Sequence, residues 1–318
     1  MAEKRLHKRL KRFLRYYLLR ALFAVAGLPP LELARRLGAA LGGLAFLLAG
    51  GERRKALSSL AIAFGEKSEA ERYEIARDSF RHLGMLGAEV CQLRHIDPQL
   101  ERYVELSEGS QRLLAEAYAE KRGVVFITGH VGNFELLARR FGRLGYPSQT
   151  IAKQSSDPRM TALIERIRVS GGYQILWRGQ EDLFALMERL LGRGEFLGFL
   201  IDQDIKARGV FVDFFGRPTF TPRAAADLAL KTGAAVVTGF VFRRGDGGHR
   251  FEVARLPVHR SGDPDADALA LTQAMTRAIE DAIRRAPHAW VWLHQRWKTR
   301  PEQAAPPSRA GDTSRAGR

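Results

Sequence analysis

Two short runs in this chain are apolar at nearly every position, and they limit what it can fold into. Gly123-Val-Val-Phe-Ile-Thr128 and Phe196-Leu-Gly-Phe-Leu-Ile201 lack the polar alternation of a strand with one wet face. Such strands are buried on both sides, as in the middle of a parallel sheet covered by helices. Strand-like stretches at 149–152, 174–177 and 235–242 alternate with helix-like ones at 158–169, 180–191, 222–231 and 265–285. Gly245-Asp-Gly-Gly248 then signals a hairpin into a further strand at 250–256. Residues 52–120 read mainly as helix, with Ser68-Glu-Ala-Glu71 in capping-box form and a stripe of Ile75, Ser79, Phe80, Leu83, Leu86 and Val90. The expected fold is α/β, a largely parallel central sheet flanked by helices.

Both apolar runs end in residues that can do chemistry. The first passes into Gly129-His-Val-Gly-Asn-Phe-Glu135, where the composition turns helical. In open α/β sheets this strand-to-helix edge is where ligands bind. At roughly 100° per residue, a five-residue spacing would set His130 and Glu135 well apart around one helix. They can meet only if His130 lies in the loop and Glu135 in the first helical turn. Gly129 and Gly132 allow such a loop, and Asn133 suits the N-cap. An imidazole held by a carboxylate is a good general base near neutral pH. The same spacing also fits a histidine that merely packs in the loop beside a solvated glutamate. The second run ends in Asp202-Gln203-Asp204, carboxylates either at the same sheet edge or capping a turn.

The net charge of +16 is concentrated at the start. Residues 1–20 hold eight Lys or Arg against one acid, a net +7, which leaves +9 for the rest. The apolar stretches that follow, 13–28 and 37–51, are interrupted by Arg15 and Arg20 or are too short for the run of about 20 residues that spans a bilayer. Residues 1–50 are therefore expected to form a basic helical arm lying on an anionic membrane; two ordinary helices packed on the domain are the alternative. The basic residues form no recognisable nucleic-acid reading motif, so no nucleic-acid partner is expected. The single cysteine, Cys91, excludes an internal disulfide, and no metal site is indicated. Residues 302–318, rich in Ala, Pro, Ser and Arg, are expected to be disordered.

The His-x4-Glu segment resembles the motif of glycerolipid acyltransferases, and the chain is similar to the bacterial lipid A biosynthesis acyltransferases, the lauroyl and myristoyl transferase family of the lysophospholipid acyltransferase superfamily. The resemblance runs through Ile201-Asp-Gln-Asp204, Gly209-Val-Phe-Val-Asp-Phe-Phe-Gly-Arg-Pro218, Thr221-Pro222 and Trp290-Val-Trp-Leu-His-Gln-Arg-Trp-Lys-Thr-Arg-Pro301, from about residue 10 to 301. It implies an acyltransferase domain at 51–301 on the cytoplasmic side of the cell inner membrane. It also implies an acyl thioester donor, carried by acyl carrier protein or CoA, and a glycolipid acceptor such as a lipid A precursor, with no cofactor. His130 would be the general base and Glu135 its orienting partner, with oxyanion donors at the Gly132 and Asn133 amides. Asp202 would lie by the active site, Arg168 and Lys153 would bind phosphate or thioester oxygens, and Arg217 or Arg223 an anionic head group. Phe211, Phe214 and Phe215 would border a hydrocarbon channel or pack in the core. Trp290, Trp292 and Trp297 suit a lipid interface or a core-facing terminal strand. A hydrolase using the same residues on water is the nearest alternative chemistry.

Overall fold

The computed structural model describes residues 2–301, with side chains from residue 12 onward. The tail expected at 302–318 lies outside the described residues. Four helices come first: α1 (Ala2–Ala26), α2 (Leu31–Leu48), α3 (Gly50–Ala63) and α4 (Glu69–Cys91). Short helices α5 (Leu93–Ile96) and α6 (Leu100–Tyr103) lead to the first strand, β1 (Val104–Leu106), and α7 (Glu108–Ala119). Strands and helices then alternate: β2 (Val124–Thr128), α8 (Phe134–Gly142), β3 (Ser148–Ala152), α9 (Pro158–Val169), β4 (Gln174–Trp177), α10 (Leu183–Gly192) and β5 (Phe196–Leu200). A hairpin of β6 (Gly209–Phe214) and β7 (Arg217–Pro222) precedes α11 (Ala224–Thr232), β8 (Ala235–Arg243), β9 (His249–Leu256) and α12 (Pro264–Arg285).

Seven strands form one sheet in the order β1-β9-β8-β2-β5-β3-β4. Every neighbouring pair is parallel except β8 and β9, the expected hairpin. The two apolar runs are β2 and β5, side by side near the middle. Alternate residues of β2 feed two cores, with Val125 and Ile127 on one face and Val124 and Phe126 on the other. The register pairs Thr128 with Leu200. Two residues beyond each lie His130 and Asp202, so strand alignment alone brings residues far apart in sequence to the same point on the C-terminal edge.

The capping box at α4 is complete, with Ser68 accepting from the Glu71 amide and Glu71 from the Ser68 amide. Helix α2 packs along α4 through glycines. A Cβ on Gly38 would overlap the Gly84 carbonyl, one on Gly84 the Gly38 carbonyl, and one on Gly42 the Phe80 carbonyl. Away from the seam α2 turns Leu33, Leu44, Leu47 and Leu48 to the outside, while Leu37 and Leu41 are exposed beside the seam. Among the described residues no single helix is long and apolar enough to cross a membrane, and α2 meets α3 at a 92° bend.

Candidate active site

The loop after β2 is fixed at both ends. Gly132 adopts a positive φ of 63°, and a Cβ there would overlap the Val241 carbonyl, so only glycine fits. Asn133 caps α8, its side-chain oxygen accepting from the Leu136 amide at 3.1 Å. Its amide nitrogen donates to Glu89 at 2.7 Å. Glu89 is wholly buried on α4 and is further held by Arg243, Tyr103 and His249. Sequence reasoning missed Glu89; a lone acid in a helical stripe gives no sign of the four partners that justify its burial. Both ends of the Asn133 side chain are thus engaged within the protein. Gly132 is also unavailable as an oxyanion donor, because its N–H is bonded to the Ala289 carbonyl at 2.9 Å.

His130 does not pair with Glu135. Its Nδ1 lies 2.8 Å from Asp202 Oδ1, and its backbone N–H donates to Asp202 Oδ2 at 2.6 Å. The β2–β5 register decides this, since it places Asp202 directly beside the loop. The first turn of α8 instead directs Glu135 towards α9, where its carboxylate pairs with Arg168 and accepts from the Tyr173 hydroxyl at 3.3 Å. Glu135 reaches His130 only through its charge.

Burial pulls the His130 pKa down, but the charge and hydrogen bond of Asp202, helped by Glu135, outweigh it and hold the pKa above its usual value. Burial works against ionised Asp202 as well. The His130 charge and hydrogen bond, with the Trp290 indole and the His130 amide, nevertheless keep that carboxyl far below the usual range. Asp202 is thus an anion fixing the Nδ1–H tautomer, which leaves Nε2 with its lone pair. Gln203 Nε2 approaches that nitrogen at 3.2 Å and also meets His294 at 2.7 Å. The Phe134 ring packs on the imidazole edge to face, 4.9 Å between centroids.

Phe134 also borders an apolar cavity of about 1030 Å³ that opens between α1, α2, α4 and α9. Leu22, Leu41, Leu83, Leu86, Val90 and Ile164 are among its walls, and Glu135 and Arg168 supply its polar groups. Its size is at the upper limit of the roughly 300–1,000 Å³ typical of small-molecule sites. The α4 stripe read from sequence splits here, with Ser79 and Phe80 entering the core and Leu83, Leu86 and Val90 lining the cavity. Cys91 is half-buried on the same wall, where burial pushes its thiol up to about 11 and makes it a poor nucleophile.

The aromatic residues do not form the channel. Phe214 and Phe215 are buried in the core against Trp290, Trp292 and Trp297, while Phe211 packs on Phe220 within the hairpin. Trp290 and Trp292 are wholly buried, so they meet no lipid interface; Trp290 donates to Asp202 instead. Arg223 is buried and matched by Asp227 and Asp265, which removes it from head-group binding. Arg217 is exposed at the hairpin turn and Lys153 just beyond β3; the hydrogen bonds of His130 go to Asp202 and Gln203. Arg168 is brought close, through Glu135. Among the described residues no three His, Cys, Asp or Glu side chains converge as metal ligands.

The chain is an acyltransferase, as comparison with known proteins shows. A model of the bacterial lipid A biosynthesis acyltransferases matches residues 2–299, and the chain belongs to that family. It is 30% identical over 276 residues to the lipid A biosynthesis lauroyltransferase of Escherichia coli K12, covering 86% of this chain and 88% of that one. The palmitoleoyltransferase of the same organism is 28% identical over 256 residues, 79% of this chain and 80% of its own. The phosphatidylinositol mannoside acyltransferase of Mycobacterium tuberculosis H37Rv is 28% identical over 226 residues, 69% of each.

Proposed function

We propose that the protein moves a fatty acyl chain from an acyl carrier protein thioester to a hydroxyl of a glycolipid such as a lipid A precursor. The observation that carries this reading is His130, backed by buried Asp202 and packed on Phe134, whose ring lies in the wall of an apolar cavity. The acyl chain lies in the cavity with its thioester carbonyl near His130. The acceptor hydroxyl replaces Gln203 at Nε2 and donates its proton there as its oxygen attacks. Asp202 stabilises the imidazolium, which then protonates the departing thiolate. Base catalysis of this kind contributes typically about 10²–10⁴-fold. Arg168 and the N-terminus of α8, whose first-turn amides point back to the loop, supply positive potential to the oxyanion. Glu135 holds Arg168 in place and raises the basicity of His130.

The net +9 outside the first 20 residues attracts an acidic carrier, and a CoA donor fits the same charge argument. The outward leucines of α2 and the basic start of α1 support a seat on an anionic membrane surface, which membership of the family makes the inner membrane, with the catalytic domain to the cytoplasm. Relatives named for lipid A and for phosphatidylinositol mannoside support a glycolipid acceptor of either kind. The test is to supply membranes containing the protein with acyl-carrier thioesters and candidate glycolipids and to weigh the products by mass spectrometry. Acylated glycolipid is expected from the wild type and none from His130→Ala. Free fatty acid as the sole product would select hydrolysis, and an active His130→Ala would remove the general base.

A further inference from the structure

His130 lines neither of two cavities, but its neighbours line both. Phe134 and Glu135 connect it to the apolar cavity; Gln203 and His294 connect it to a polar cavity of about 200 Å³ that shares no lining residue with the first. Lys55 on α3, Asp204 and Lys298 in the C-terminal block also line this polar cavity. A neighbouring cavity of about 350 Å³ shares Lys55 and Lys298 and adds Arg54 and Ser58.

The carboxylate of Asp204 is directed to Thr299, accepting from its amide at 2.9 Å and its hydroxyl at 3.1 Å. The Asp204 carbonyl meanwhile anchors Lys298 Nζ at 2.8 Å, and the Asp204 carboxylate stands 3.8 Å from the same ammonium, so Lys298 is held in place and partly neutralised while Lys55 carries the freer charge. Among the described residues Lys55 pairs only with Glu52, at 2.8 Å, where both side chains are about half exposed; such a pair is weak and easily exchanged. Glu52 lines neither cavity. Helix α3 starts at the 92° bend from α2, so Arg54 and Lys55 follow directly on the helix whose leucines face outward. Cations just past an apolar surface stand at the level of lipid head groups.

We propose that this polar cavity binds a phosphate ester carried by one of the two substrates, with Lys55 and Lys298 as its cations. The ammonium group is a compact point charge suited to a phosphate oxygen. The phosphate is either on the glycolipid acceptor or in the phosphopantetheine arm of the donor. The site rests on the acyl-transfer reading, because it fixes the polar part of that substrate while the reacting group reaches His130.

The test uses the full chain in detergent as wild type, Lys55→Gln and Lys298→Gln. Equilibrium binding is measured for a phosphorylated glycolipid, for the same glycolipid after phosphatase treatment, and for 4′-phosphopantetheine. About tenfold weaker binding of one phosphorylated probe in each variant is expected, with the dephosphorylated glycolipid unchanged. Loss confined to the glycolipid assigns the phosphate to the acceptor, and loss confined to phosphopantetheine assigns it to the donor. Lys298 also supports the Asp204 loop, so Lys55→Gln, on an exposed helix face, is the deciding variant. Unchanged binding in Lys55→Gln, or an equal loss for the dephosphorylated glycolipid, would overturn the site. Binding is read without turnover, so a wild type that binds the phosphate but transfers no acyl group would refute the acyl-transfer reading alone.

Discussion

The indole N–H of Trp290 and the backbone N–H of His130 donate to the same oxygen, Asp202 Oδ2, at 2.8 and 2.6 Å. The other oxygen is left to the imidazole. A carboxylate held in this way has one orientation, and so does the ring it supports.

Asp202→Asn is therefore expected to lower kcat about a thousandfold with KM little changed, because an amide can offer its N–H to Nδ1 and select the wrong tautomer. Steady-state transfer assays, with circular dichroism to confirm folding, would check this. Activity within threefold of wild type would refute it.

The raised pKa of His130 sets a direction for the pH profile. A base must be unprotonated, so kcat/KM should climb as pH rises and level off above a pKa higher than the unperturbed value of about 6.5. In Asp202→Asn, burial dominates and the limb should move to lower pH. For stability the sign is opposite. The contribution of protonated His130 is complete below about pH 6.5 and is lost as pH rises through the folded pKa. A wild-type limb centred below 6.5 would contradict the assignment.

Glu135 and Arg168 form one unit, each about one-fifth exposed. Glu135→Gln removes a charge that supports the His130 pKa and leaves Arg168 without its carboxylate. A double-mutant cycle on kcat/KM with Arg168→Gln should show coupling of about 1–3 kcal/mol. Strictly additive losses would show that the two act separately.

Gly87 lies on α4 in the wall of the apolar cavity, and a Cβ there meets nothing within 4 Å. Gly87→Leu should fold normally while occupying cavity volume. Longer acyl chains should then lose binding by about 0.8 kcal/mol for each methylene left outside. Competing mixed thioesters in one reaction reads this as a shift to shorter products. An unchanged chain-length preference would place the acyl group elsewhere.

Leu44, Leu47 and Leu48 are exposed on α2. Changing all three to Glu should release the protein from anionic vesicles in a flotation assay, since each buried leucine is worth about 1.5–3 kcal/mol. Retention of wild-type binding would leave the basic start of α1 as the sole anchor.

The sequence pattern was sufficient for most of the sheet, because β2 and β5 carry their burial in their composition. β1 was not visible, being three residues paired to β9 at the edge. The hairpin β6–β7 was hidden by aromatic residues that suggested a channel. His130 and Asp202 could each be picked out as polar groups ending an apolar strand. Their partnership spans 72 residues and depends on the β2–β5 register, which no local spacing encodes. The tryptophans could be read two ways, as a lipid interface or as core, and burial selects the core. Indoles beside cations suit a lipid surface, but the partner of Trp290 is a carboxylate buried in the core.

The glycine seam between α2 and α4 joins the outward leucines to the wall of the apolar cavity with backbone against backbone. No side chain separates them to absorb a shift, so a tilt of α2 is transmitted to α4. For anyone redesigning this protein, Gly38, Gly42 and Gly84 are closed positions. Acyl-chain preference is open to change at Gly87 on α4, and membrane affinity at Leu44, Leu47 and Leu48 on α2.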